Sequence, residues 1–152
     1  MSEPRHLPPP RLVGRLAAEI RGAEMAKRQF IFAAKWAASL GTALEKRQEV
    51  LAALAELAIE TYAMDSILGR TLADGSRPEL RDALCRFYCM ESRERAISHA
   101  RTALAAVVPP GEVDAQHEQL SHLYKYTPVN SAEAREGIVP SLLEAGGYPL
   151  SY

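Results

Sequence analysis

Residues 1–152 hold little that would build a sheet. Aromatic residues make up only 7% of the chain, and runs in which Val, Ile or Thr alternate with polar residues are absent. The second absence excludes half-buried strands. No stretch of about 18 uncharged apolar residues occurs, which excludes a membrane-spanning helix. The opening residues, MSEPRHLPPP, contain no apolar segment of signal-peptide length and read as a mobile, proline-rich tail over 1–10. Cysteine is confined to Cys85 and Cys89. Two cysteines without a secretory signal point to a reducing, intracellular setting, so a cytoplasmic location is expected. Neither GxGxxG nor GxxxxGK is present, so no phosphate-cradling loop is visible. His6, His99, His117 and His122 form no HxxxH or HExxH spacing. The net charge of −1 excludes a nucleic-acid binder that works by bulk electrostatics.

What is abundant is alanine and leucine, within a hydrophobic share of 47%. Both are strong helix formers because they lose little side-chain entropy in a helix. A chain of this length buries roughly 70% of its unfolded surface and needs no disulfide or metal staple. The punctuation divides it into five helices. Helix one is expected over 11–40, with an apolar stripe of Leu16, Ile20, Ala23, Phe30, Ala34 and Ala37. Gly41 is placed to end it in a left-handed cap. Thr42 and Glu45 form a capping-box pattern for helix two, which reaches residue 73 and spans roughly 45 Å. Ser76 and Glu79 repeat that pattern for helix three, with Pro78 in the first turn and the stop at PPG. Helix four is expected over 112–126. Asn130 then caps helix five, which ends at Gly146 and carries Pro140 as a kink or break. The fold class is therefore all-α: an antiparallel bundle of three long helices plus two shorter C-terminal ones, forming one domain over 11–152.

Charge is distributed unevenly. Residues 11–35 carry six bases against two acids, and residues 112–144 carry six acids against two bases. The two regions could attract each other or steer different partners. Arg21, Arg28 and Lys35, seven apart, share one face of helix one. With Phe30, Ile31, Phe32 and Trp36 beside them, they form a candidate face for an anionic membrane or a partner, against the plainer reading of an amphipathic helix that packs.

Other groups are candidates for chemistry. Glu60 and Asp65 lie about 140° apart around a helix and do not share a face, whereas Tyr62 and Asp65 are close enough to touch. An acid pair can divide acid and base roles, but the apolar neighbours favour a core-edge tyrosine with an acid on the rim. Cys85 and Cys89 supply half a zinc site, and His117 and His122 splay rather than complete it. Two small buried hydrophobes is the alternative reading. Arg86, Arg93, Arg95 and Arg101 could clamp an anion. Interleaved Glu91 and Glu94 favour a charged face instead, with Glu91–Arg95 as one expected ion pair.

Three segments, taken in order, carry a resemblance. AIETYAMDSILGR, LCRFYCMESRERAISHA and TPVNSAEAREGIVPSLLEAGGYPL resemble the extra C-terminal helical domain of very-long-chain-type acyl-CoA dehydrogenases, from about Gly22 onward. The resemblance implies an enzyme family that oxidises acyl-CoA with FAD, using a glutamate base. Both the base and the flavin site lie in a preceding catalytic core that residues 1–152 do not contain. It therefore implies no catalytic, cofactor-binding or metal-binding residue here, with FAD expected in the core. The implied role is an accessory or assembly module with a dehydrogenase core as partner, a possible homodimer, and no nucleic acid. A peripheral membrane-binding module is the alternative.

Overall fold

The computed structural model describes residues 14–124, 130–147 and 150. The expected tail over 1–10, the start of helix one, Tyr126 and the Thr-Pro-Val stop before Asn130 lie outside the described residues. Among those described there is no strand, as the missing alternation predicts. The helices are α1 (Ala17–Ala38), α2 (Gln48–Ala73), α3 (Pro78–Val107), α4 (Val113–Ser121) and α5 (Ser131–Ala145), with a 3-10 turn over Gly41–Lys46 between α1 and α2.

Helix α3 is the centre of the molecule. Six of its nine buried positions, Cys85, Cys89, Ser92, Ala96, Ala100 and Ala103, are small and recur every three or four residues, with Met90, Ile97 and Leu104 completing the set. Small residues let backbones approach closely, so α1 and α2 can both lie against α3. Helix α1 contributes Ala23, Ala26, Ala33 and Ala37, and α2 contributes Leu57, Met64 and Leu68. Leu104, Val108 and Leu120 extend the same core toward α4. The ion pairs give the directions. Arg15 at the start of α1 meets Asp82 at the start of α3, whereas Glu60 in mid-α2 meets Arg95 and Asp74 beyond its end meets Arg81. Helices α1 and α3 therefore run the same way, and α2 runs against α3. Gly22 on α1 has a packing reason: a Cβ there would lie 3.0 Å from Arg93 Nη1.

Several boundaries differ from the expectation. Thr42 and Glu45 form no capping box. Their segment is a 3-10 turn without a buried residue, and α2 begins only at Gln48 with no side-chain cap. The first core contact of α2 is Val50, so an earlier start would add helix with nothing to pack against. Gly41 does take a left-handed conformation (φ 53°), but α1 has already ended at Ala38. Ser76 does not cap α3 either. Its N–H donates to Asp74 Oδ1 at 2.7 Å, and its carbonyl accepts from Arg81 at 3.0 Å. Arg77, in a left-handed conformation, precedes Pro78 at the head of α3 instead. Helix α4 is shorter than expected. Asn130 does cap α5, its Oδ1 accepting from Ala132 N and Glu133 N at 3.1 and 3.4 Å. Gly146 ends α5 with φ 62°. Pro140 does not split it, since α5 is continuous from Ser131 to Ala145.

Candidate functional site

The segment LAIETYAMDSILGR divides around the circumference of α2. Leu57, Met64 and Leu68 enter the core. Glu60 is 8% exposed and turns to α3. There Arg95 donates through Nε (2.6 Å) and Nη2 (3.1 Å), and Ser92 Oγ donates at 2.5 Å. Burial would raise the Glu60 carboxyl. The bonds from Arg95 and Ser92 outweigh it and hold the carboxyl below its ordinary value. A carboxylate with both oxygens engaged joins two helices and is not poised to take a proton. Asp65 points elsewhere and pairs with Lys27 of α1 at 2.9 Å. The two acids thus face apart, as their spacing requires.

Tyr62 departs from expectation. It is 75% exposed, not a core-edge side chain, and it forms no hydrogen bond with Asp65 among the described residues. It stands at the edge of a cleft of about 1000 Å³ between α2 and α3. Ile67, Leu84, Phe87 and Tyr88 line that cleft together with Leu150 from beyond α5, with Arg70 and the Asp74–Arg81 pair at one end. Sequence reasoning found Tyr62 but not the cleft, because no periodicity within α2 reports where α3 falls away from it.

The arginines of α3 do not converge on an anion. Arg95 is committed to Glu60, Arg101 lies over the Tyr124 ring, and Arg93 is partly buried against Gly22. Arg86 reaches Asp82. The expected Glu91–Arg95 pair is replaced, because Glu60 offers Arg95 a bidentate partner. Glu91 instead meets Arg135 of α5 at 3.4 Å. Cys85 and Cys89 are free and buried. The hydrogen bond to Cys85, reinforced by burial, pushes the Cys89 thiol up and keeps it neutral. Among the described residues no three His, Cys, Asp or Glu side chains gather as a metal site. His99, His117 and His122 lie apart from the two cysteines in the sequence and join no such group.

Arg21, Arg28 and Lys35 are exposed along one line of α1 and pair with no carboxylate among the described residues. Ile31 is exposed between them. Phe30, Phe32 and Trp36, expected beside them on a membrane face, pack against the core instead, with Trp36 Nε1 donating to Gln116 at 3.2 Å. No helix among the described residues is long and apolar enough to cross a membrane. No ion pair links the basic α1 region to the acidic α4 and α5 among the described residues.

The α2–α3 cleft is a poor match for a flavin dinucleotide. A pyrophosphate is best held by several cationic donors, and the cleft offers Arg70 and an Arg81 that Asp74 already engages. Arg81 is held by Asp74, whose carboxylate would repel the phosphates.

Comparison with known proteins agrees with the all-helical fold. The family model described as acyl-CoA dehydrogenase, C-terminal domain, matches residues 25–125. No curated protein sequence matches. A crystal structure of acyl-CoA dehydrogenase complexed with FAD from Bacillus anthracis overlays the chain with a TM-score of 0.87 and 25% identity. That overlay covers 95% of this chain but 26% of the Bacillus chain, so the present sequence spans about a quarter of that enzyme's length. The match over two-thirds of the chain, on an all-helical fold of the same shape, places it in the acyl-CoA dehydrogenase C-terminal domain family.

Proposed function

We propose that this chain is an accessory, assembly module of an FAD-dependent acyl-CoA dehydrogenase of the very-long-chain type, and is not catalytic alone. The observation that carries this reading is the overlay. Nearly the whole chain superposes on part of a flavin enzyme whose greater part lies outside the match. In this reading the flavin and the base belong to a core, joined in the same polypeptide or supplied separately. Residues 11–152 act as one helical module that buries apolar surface against that core. Glu60, the acid buried among the described residues, is committed to Arg95 and Ser92, which agrees with a structural role.

The basic line of α1 fits as the steering element. Arg21, Arg28 and Lys35 are unpaired among the described residues and would draw the module toward an acidic region of the core. Rim charges of this kind set association rate and salt dependence more than final affinity. Mixing the chain with its cognate FAD-loaded core tests the reading. We expect a stable complex by size-exclusion chromatography and a core that unfolds at higher temperature with its flavin retained. A core unchanged in stability, assembly and activity would refute the proposal. Changing the three α1 bases to Gln should slow association at low salt and flatten its salt dependence.

A further inference from the structure

Three neighbouring features of α2 and α3 stand open among the described residues. First, Leu51, Ala55, Ile59 and Tyr62 follow one another at spacings of four, four and three, which puts them on one line of α2. All four are exposed, Ile59 at 58%. Single exposed apolar residues are ordinary, but a continuous line of them marks a surface meant to be covered. Second, that line leads at Tyr62 into the α2–α3 cleft, whose walls are aromatic and aliphatic. Its volume of about 1000 Å³ stands at the upper end for small-ligand sites and suits a loop or helix edge. Third, Arg70 stands at the cleft's end with no carboxylate partner among the described residues, while Arg81 beside it is matched by Asp74. An uncommitted guanidinium at the end of an apolar cleft is complementary to a carboxylate, which it can hold in a bidentate fork.

We infer that the α2 line and the α2–α3 cleft form the surface that takes the dehydrogenase core, and that the core segment received there is apolar and carries a carboxylate opposite Arg70. The inference rests on the proposal above that such a core is the partner. It goes further by separating two surfaces with different tasks. The cleft anchors through Tyr62 and its neighbours, the residue types that dominate interface energies. The α1 bases only steer. A core is a better occupant than a second copy, because most of the overlaid enzyme's chain is available to pack here. A second copy would bring another Arg70 to an interface already positive at that point.

The test measures the dissociation constant of the full chain for its cognate FAD-loaded core. Tyr62→Asp should weaken binding roughly thirtyfold, the loss typical of a central tyrosine anchor. Arg70→Glu should weaken it by about tenfold or more, while Arg70→Lys keeps most of the affinity. Leu143→Asp, an equally exposed apolar residue on α5, should leave it unchanged. Both altered cleft residues are exposed, so melting temperatures should match the wild type. Arg70→Glu stands as an independent probe if Tyr62→Asp loses helix content. Full affinity in both cleft variants would overturn the inference while leaving the assembly role intact. Failure of the wild-type chain to bind any core would overturn both. A wild-type dimer in sedimentation that Tyr62→Asp dissociates would assign the cleft to a second copy and overturn the inference.

Discussion

Glu60 shows how much one side chain decides when its environment is fixed by two helices. Its carboxylate is buried, and its partners Arg95 and Ser92 both come from α3. Removing one member of such a pair strands the other, though Arg95 is partly exposed and rehydrates in part. Glu60→Ala should therefore lower the unfolding free energy by about 2 kcal/mol, read from urea titration. The pH dependence has a definite sign. The folded carboxyl lies below its ordinary value of 4.5, so its contribution is fully present above that value. It is lost as pH falls through the lower folded value. Glu60→Gln should flatten this acid limb of the stability curve. Cys85 and Cys89 make a second residue-scale prediction. Both are buried, so each should react with a thiol reagent at pH 8 only as fast as the chain opens. A native chain that reacts at the rate of a free thiol would contradict their packing. The sequence showed that Glu60 and Asp65 face apart, because helical spacing alone sets that angle. It could not show which of them would be buried, since that depends on the neighbour each meets.

At the scale of elements, helix ends divide into those settled locally and those settled by packing. Asn130 and Gly146 work as their residue types suggest, because a side-chain oxygen reaching two N–H groups and a left-handed glycine need no distant partner. Thr42 and Ser76 fail as caps although their motifs are as good. The turn between α1 and α2 must reverse the chain in a few residues, and 3-10 geometry does this before α2 finds its first core contact at Val50. Asn130→Ala should cost about 1 kcal/mol and speed amide exchange in the first turn of α5. Pro140 lies exposed inside α5, where it removes one backbone hydrogen bond. Pro140→Ala should therefore slow exchange across α5 and raise its local stability by about 1–3 kcal/mol.

For the whole molecule, cohesion rests on the alanine- and cysteine-lined seam of α3 against α1 and α2. Leu57 of α2 and Leu104 of α3 are fully buried in that core. Leu57→Ala or Leu104→Ala should each lower global stability by about 2–5 kcal/mol in calorimetry or urea unfolding, with the spread set by how far the site collapses. A much smaller loss in both would mean that the three long helices do not share one cooperative core. Substituting Ile59 or Tyr62 should leave isolated-chain stability within about 0.5 kcal/mol, because both side chains are largely exposed among the described residues. The contrast separates residues that hold the bundle from residues left for a partner.

Helical class, the approximate number of helices, the α5 caps and the opposed faces of Glu60 and Asp65 followed from the sequence. Each depends on periodicity or on groups within about four residues of one another. The resemblance over three motifs followed from it too. Tertiary structure decided the rest. It gave Arg95 to Glu60 instead of Glu91, turned Phe30, Phe32 and Trp36 inward, left Tyr62 in the open, and formed the cleft between α2 and α3. These outcomes depend on which helix lies beside which and at what height. Contacts between residues more than thirty positions apart fix that placement, and no local pattern encodes it.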